Sequence, residues 1–186
     1  MRTVVLVEGR SDRIALEALA RLLGRDLAAE GTRVLAMGGI TNTRAFALRH
    51  GPLGEGARLA GLYDAPEERR VRGGLAQAGM PEARTAALEP LGFFRCTLDL
   101  EDELIRALGA DRVQAVITAA GETASLERLA QMPAQRGWSR EAVLRRFFGS
   151  RSGRKAIYAR LLVEALDPVA APRPLAALLA HLALVA

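Results

Sequence analysis

The residues with chemistry to offer are carboxylates, and they recur in one kind of place. The run VVLVEGRSD, residues 4–12, is apolar until Glu8; a glycine follows, and Asp12 stands four positions after the glutamate. A second apolar run closes on Asp64, and TLDLEDEL, residues 97–104, crowds Asp99, Glu101, Asp102 and Glu103 just past a third. A glutamate that ends a buried strand is a poor structural choice, because it brings a charge toward the interior for no gain. Carboxylates on neighbouring strands, about 4.8 Å apart, repel each other unless a proton or a cation sits between them. Oxygen-only donors favour a hard cation, Mg²⁺ before Zn²⁺.

Each acid also has a plainer use. Asp12 falls in the first turn of the helix expected after the strand, where an acid caps free N–H groups and faces the positive end of the dipole. Asp99 suits an N-cap, with Asp102 near the third helical position. Asp102 and Glu103 read as solvated first-turn acids, which leaves Asp99 and Glu101 to join Glu8 and Asp64.

The cations are unevenly made and unevenly placed. Of 26 basic residues only Lys155 is a lysine, and the formal charge is +5. Between Arg136 and Arg160 a run of arginines with Lys155 meets a single acid, Glu141. Arg145, Arg146, Arg151 and Arg154 are its candidates for phosphate contact. The stretch GSRSGRKA, residues 149–156, invites comparison with a phosphate-binding P-loop, but its spacing is wrong and no Ser or Thr follows the lysine. Lys155 is better placed to meet a phosphate or a leaving oxygen as a point charge. Gly38-Gly39 after the second strand is a weaker candidate for nucleotide binding.

These residues need a scaffold. Strands are expected over Thr3–Val7, Arg33–Met37, Leu59–Tyr63 and Phe93–Thr97. Helices alternate with them: from Ser11 or Asp12 to Gly24, Thr43–Leu48, Glu67–Ala78 (weakened by Gly73-Gly74) and Asp99–Leu108. Alternation of this kind implies a small, mostly parallel four-stranded sheet flanked by helices, an α/β fold whose strand ends line one edge. Residues 1–109 form that core. Residues 110–186 read as an added C-terminal helical region packed on the same domain, with helices over Val113–Ala120, Ala124–Met132, Ser139–Phe148, Ser152–Leu166 and Leu175–Val185. Half the residues are hydrophobic and only 4% aromatic, so Leu, Val and Ala must fill the core. One cysteine, Cys96, excludes an internal disulfide and a Cys-based zinc site, and His50 and His181 lack a metal-ligand spacing. No signal-like segment or spanning run is present; a cytoplasmic protein without membrane partners is the expectation.

In order and placement the motifs resemble those of a Toprim domain, in the form found at the C-terminal end of OLD-family (overcoming lysogenization defect) nucleases. The matching pieces are LVEGRSD, MGGITN, GLYDAPEE, LDLEDEL and SGRKAIYARLL. The resemblance implies a Toprim-like, Rossmann-like sheet and phosphodiester hydrolysis or nucleotidyl transfer on nucleic acid, DNA before RNA. It implies one or two Mg²⁺ ions, with Mn²⁺ as a substitute, held by Glu8, Asp12, Asp64, Asp99 and Glu101. Glu8, Asp64 and Lys155 would be catalytic. Two features depart from the pattern. Pro66 stands where the second Asp of an Asp-x-Asp pair is usual, leaving Glu67 or Glu68 to replace it. The sequence also opens at the first Toprim strand, whereas OLD proteins carry an ABC-type ATPase ahead of it. The chain then works alone, with a separate ABC-type ATPase, as a homodimer, or as a non-catalytic module that binds nucleic acid or a partner ATPase.

Overall fold

The structure is a computed structural model that describes residues 2–184. Four strands, β1 (Thr3–Val7), β2 (Thr32–Ala36), β3 (Arg58–Asp64) and β4 (Phe93–Cys96), form one sheet in the order β2-β1-β3-β4. All three pairings are parallel. β1 is buried at every position. Its unbroken TVVLV run suits a central strand covered on both faces.

The pleat sorts the sheet's side chains into two apolar clusters. Val4, Leu6, Leu59, Tyr63 and Phe93 face α2 (Thr43–His50) and α3 (Glu68–Gln77), meeting Ala47, Val71 and Leu75. Val5, Val7, Ala60, Leu62 and Phe94 face the other way, against Leu16 and Leu19 of α1 (Arg10–Leu22) and Leu104 of α4 (Leu100–Leu108). The later helices join this second cluster: α5 (Ala110–Ala119), α6 (Thr123–Ala130), α7 (Arg140–Phe148), α8 (Arg154–Glu164) and α9 (Arg173–Leu184). Phe147, Phe148 and Tyr158 meet with ring centroids 5.0–5.8 Å apart, so a few aromatics tie α7 to α8.

Most element ends shift by up to three residues from expectation, and the local chemistry is plain at three helices. α1 starts at Arg10 with Gly9 as N-cap, because Asp12, at the third helical position, accepts the Gly9 N–H at 2.7 Å. α3 runs through Gly73-Gly74 unbroken. A Cβ at Gly74 would stand 3.1 Å from the Thr43 side chain, so glycine there allows α2 and α3 to approach closely. The last helix starts at Arg173 rather than Leu175, with proline in its first turn where no N–H is needed. Its expected end, Val185, lies outside the described residues. No described helix is long and apolar enough to cross a membrane.

Candidate metal centre and the cleft beside it

β1 and β3 are neighbours, so the two acidic strand ends share one edge. The register pairs Leu6 with Gly61. Carried two residues on, it sets Glu8 opposite Tyr63 and Asp64 one step beyond. Tyr63 faces α2 and α3, so alternation sends Asp64 toward the α1 side; Glu8 follows the last residue of β1, so strand alternation does not fix its direction. β4 brings Cys96 opposite Asp64, and Asp99 and Glu101 follow a short turn later. The glycine pair after β2 serves this edge too. Gly38 and Gly39 take φ of +73° and +133°, and the Gly39 N–H donates to the Glu8 carbonyl at 3.1 Å. That loop thus braces the Glu8 backbone.

The acids act on one another. Asp64 is pushed up to about 8, first by burial and then by Asp12, Glu8, Asp99 and Glu101. Asp12 is raised to about 6 by burial, against the Gly9 N–H, with Glu101 and Glu8 adding to the rise. Burial raises Glu8 as well, followed by Glu67. All five acids nominated from the sequence therefore lie in one electrostatic neighbourhood. The carboxylates of Glu8 and Asp64 make no hydrogen bond or ion pair with any described residue. Among the described residues no three Asp, Glu, His or Cys side chains close around a single point as an ion cage.

Two acids already hold cations. Asp99 caps α4, accepting the Asp102 N–H at 2.9 Å on one oxygen and Arg145 Nε at 2.7 Å on the other. Glu101 is buried and accepts from Lys155 Nζ at 2.9 Å. Burial opposes the Lys155 charge, but Glu101, Asp99 and Asp12 outweigh it and hold the ammonium above its ordinary pKa. The helical region thus delivers Arg145 from α7 and Lys155 from α8 to the acidic edge.

Several expectations need correction. Arg154 is not available to a phosphate: it is 4% exposed. Its guanidinium donates to the Phe147 carbonyl and the Ser150 and Ser125 hydroxyls, pairs with Glu122 at 2.5 Å, and lies 4.0 Å above the Phe147 ring. Arg145, Arg146 and Arg151 are exposed, as phosphate contacts require. Glu103 is not solvated but buried, accepting the Thr97 N–H at 2.7 Å and pairing with Arg106. Asp102 pairs with Arg106 too. Of the two replacements for the missing Asp, Glu68 is tied to Arg72 and Arg95, while Glu67 pairs with Arg70 and raises Glu8. One feature escaped the sequence reading. Trp138, beside Arg145, Arg146 and Lys155, lines a cleft next to the acids. Its signal was there to see: a lone tryptophan between a glycine and a helix-capping serine.

A family profile described as "Overcoming lysogenization defect protein-like, TOPRIM domain" matches residues 1–49, the segment that carries Glu8, Asp12 and the glycine pair. Among solved structures, the C-terminal region of the Xanthomonas campestris pv. campestris OLD protein is 26% identical with a TM-score of 0.73, over 97% of this chain and 94% of that one. A second structure of the same region is 27% identical with the same TM-score of 0.73, over 99% and 95%. The C-terminal region of the Burkholderia pseudomallei OLD protein, 21% identical, superposes over 100% of this chain and 98% of that one, also with a TM-score of 0.73. No curated protein matches by sequence. Fold and sequence comparison agree in direction: the chain shares the fold of the C-terminal region of OLD proteins, and its first 49 residues resemble their Toprim domain.

Proposed function

We propose that this chain is a metal-dependent nuclease or nucleotidyl-transfer centre acting on nucleic acid, DNA before RNA. One observation carries the reading. Two unpartnered carboxylates, Glu8 and Asp64, stand at the ends of adjacent parallel strands, and Asp64 is pushed up to about 8 by burial and then by the acids around it. A cluster so charged takes up a proton or a cation, and its donors are all oxygens, which fits Mg²⁺ or Mn²⁺. Glu8, Asp64 and Asp12 are the residues that would hold the ion, with Asp99 and Glu101 at its margin. When bound, such an ion supplies an activated water and neutralises charge on the phosphoryl oxygens.

The chain's own residues supply the rest. Glu101 keeps Lys155 protonated and aimed at the edge, where its charge can meet the oxygen that leaves. Asp99 does the same for Arg145, which retains free donors for a phosphate. Pro66 removes the usual second ligand after β3, and Glu67 is the acid placed to replace it in a site with two ions. A separate ABC-type ATPase or a second copy of the chain is the partner this reading expects.

The test is cleavage of plasmid DNA in Mg²⁺ or Mn²⁺. EDTA-sensitive nicking should fall on the order of a hundredfold or more in Glu8→Ala and in Asp64→Ala. Cleavage unchanged in both variants contradicts the proposal. A second reading, a non-catalytic module, is favoured by the ion pairs that already occupy Asp99 and Glu101 and by Pro66. It predicts no cleavage together with retained binding of nucleic acid.

A further inference from the structure

Beside the acidic edge lies an open cleft of about 560 Å³ whose floor is one face of α7. Ala142, Arg145, Arg146 and Gly149 line it, the last three lying three, four and seven residues beyond the first, a single helical stripe. Trp138, Asp99 and Lys155 complete the lining. The small residues keep the floor open between ring and cations.

Trp138 is the chain's one tryptophan and is 46% exposed. It precedes Ser139, the N-cap of α7, a position from which an apolar residue commonly packs down on the fourth helical residue, here Val143. At 46% exposure, close to half of the residue stays open to solvent. The backbone is nevertheless held. The Trp138 N–H donates to the Gln135 carbonyl at 3.0 Å, and the Ser139 hydroxyl accepts the Ala142 N–H at 3.2 Å. Arg145 uses its Nε on Asp99 and keeps its two terminal nitrogens without described partners. Arg146 has only a long 3.4 Å bond to the Gly149 carbonyl.

We infer that this cleft binds an unpaired stretch of nucleic acid, with a base stacked on Trp138 and the backbone phosphates on Arg145 and Arg146. The chemistry is that of single-strand sites in general: an aromatic face beside cations that follow the backbone. Bases in an intact duplex present edges, not faces, so the ring selects tails, flaps or gaps. The inference rests on the nuclease reading only for what happens next, because the bound strand runs toward Lys155 and the acids. It names the substrate class of that centre as nucleic acid with a single-stranded segment.

A lone tryptophan reports on its own site. The experiment titrates the full chain, in EDTA, with oligo(dT) of about 15 nucleotides and with a duplex of the same length, reading Trp138 fluorescence. Saturable quenching by the single strand, with the duplex at least about tenfold weaker, is expected. A labelled oligonucleotide followed by anisotropy should bind Trp138→Ala roughly five- to a hundredfold more weakly, and Trp138→Phe nearly as well as wild type. Circular dichroism checks that both variants fold. Absence of quenching, equal affinity for duplex, or unchanged binding by folded Trp138→Ala overturns the inference. So does a Trp138 signal set by protein concentration alone, which would assign the ring to a contact between copies. Quenching without cleavage in Mg²⁺ or Mn²⁺ supports this site and removes the nuclease reading. Metal-dependent cleavage without quenching does the reverse.

Discussion

Lys155 and Glu101 depend on each other. Glu101 is buried, and Lys155 is its single described cation. Lys155→Met should therefore cost about 1–3 kcal/mol, because a buried carboxylate loses its partner. Lys155→Met combined with Glu101→Gln should regain most of that loss in denaturant melts and regain no cleavage. A double variant as unstable as the single one would show that Lys155 stabilises by some other contact. Arg154 makes the opposite case. Arg154→Met should cost about 3–5 kcal/mol, since it strands Glu122 and several buried acceptors. The folded fraction of that variant should bind nucleic acid as wild type does in anisotropy titrations. The two residues are adjacent in sequence, and composition alone treats them alike. Only helical phase separates them: Gly153 starts α8 so that Arg154 turns inward and Lys155 toward the acids.

At the scale of elements, the strands and helices were legible because their signals are local. β-branched runs, glycine stops and helical spacing placed all four strands and the helices between them to within a few residues. The three acidic strand ends were legible for the same reason. What the sequence could not convey was pairing across distance. Asp99 meets Arg145, 46 residues away, and Glu101 meets Lys155, 54 residues away, because α7 and α8 fold back over the face that carries α4. Glu103 reads as solvated because its i,i+3 partner Arg106 suits an exposed pair, whereas the Thr97 N–H that it accepts belongs to backbone geometry. The glycine pair after β2 also changed meaning. In the sequence it is a weak candidate for nucleotide binding; in the fold it braces the Glu8 backbone. Gly39→Ala forces a side chain into φ of +133° and should cost about 1–3 kcal/mol. It should weaken Mn²⁺ binding as well, by shifting Glu8. Gly24→Ala, strained at φ of +72° beyond the far end of α1, should destabilise without changing Mn²⁺ affinity. Calorimetry on both variants separates strain from site damage.

For the molecule as a whole, the acidic edge costs stability that a cation can return. Asp64 rises from an ordinary 3.8 to about 8, and Asp12 to about 6. A raised carboxyl pKa means that the folded state keeps a proton the unfolded state releases. The stabilisation is complete below 3.8 and declines as pH climbs toward about 8 for Asp64. A divalent cation replaces that proton and binds the ionised form. The gain in melting temperature on adding Mg²⁺ should therefore grow across the same window, and Asp64→Asn should flatten both trends. A Mg²⁺ effect independent of pH would place the ion elsewhere. The most direct test of the account is calorimetric titration of the whole chain with Mn²⁺, compared with Glu8→Gln and Asp64→Asn. Saturable binding that weakens by at least about tenfold in each variant is the predicted result. Equal affinity in all three proteins, or no saturable uptake by wild type, contradicts it.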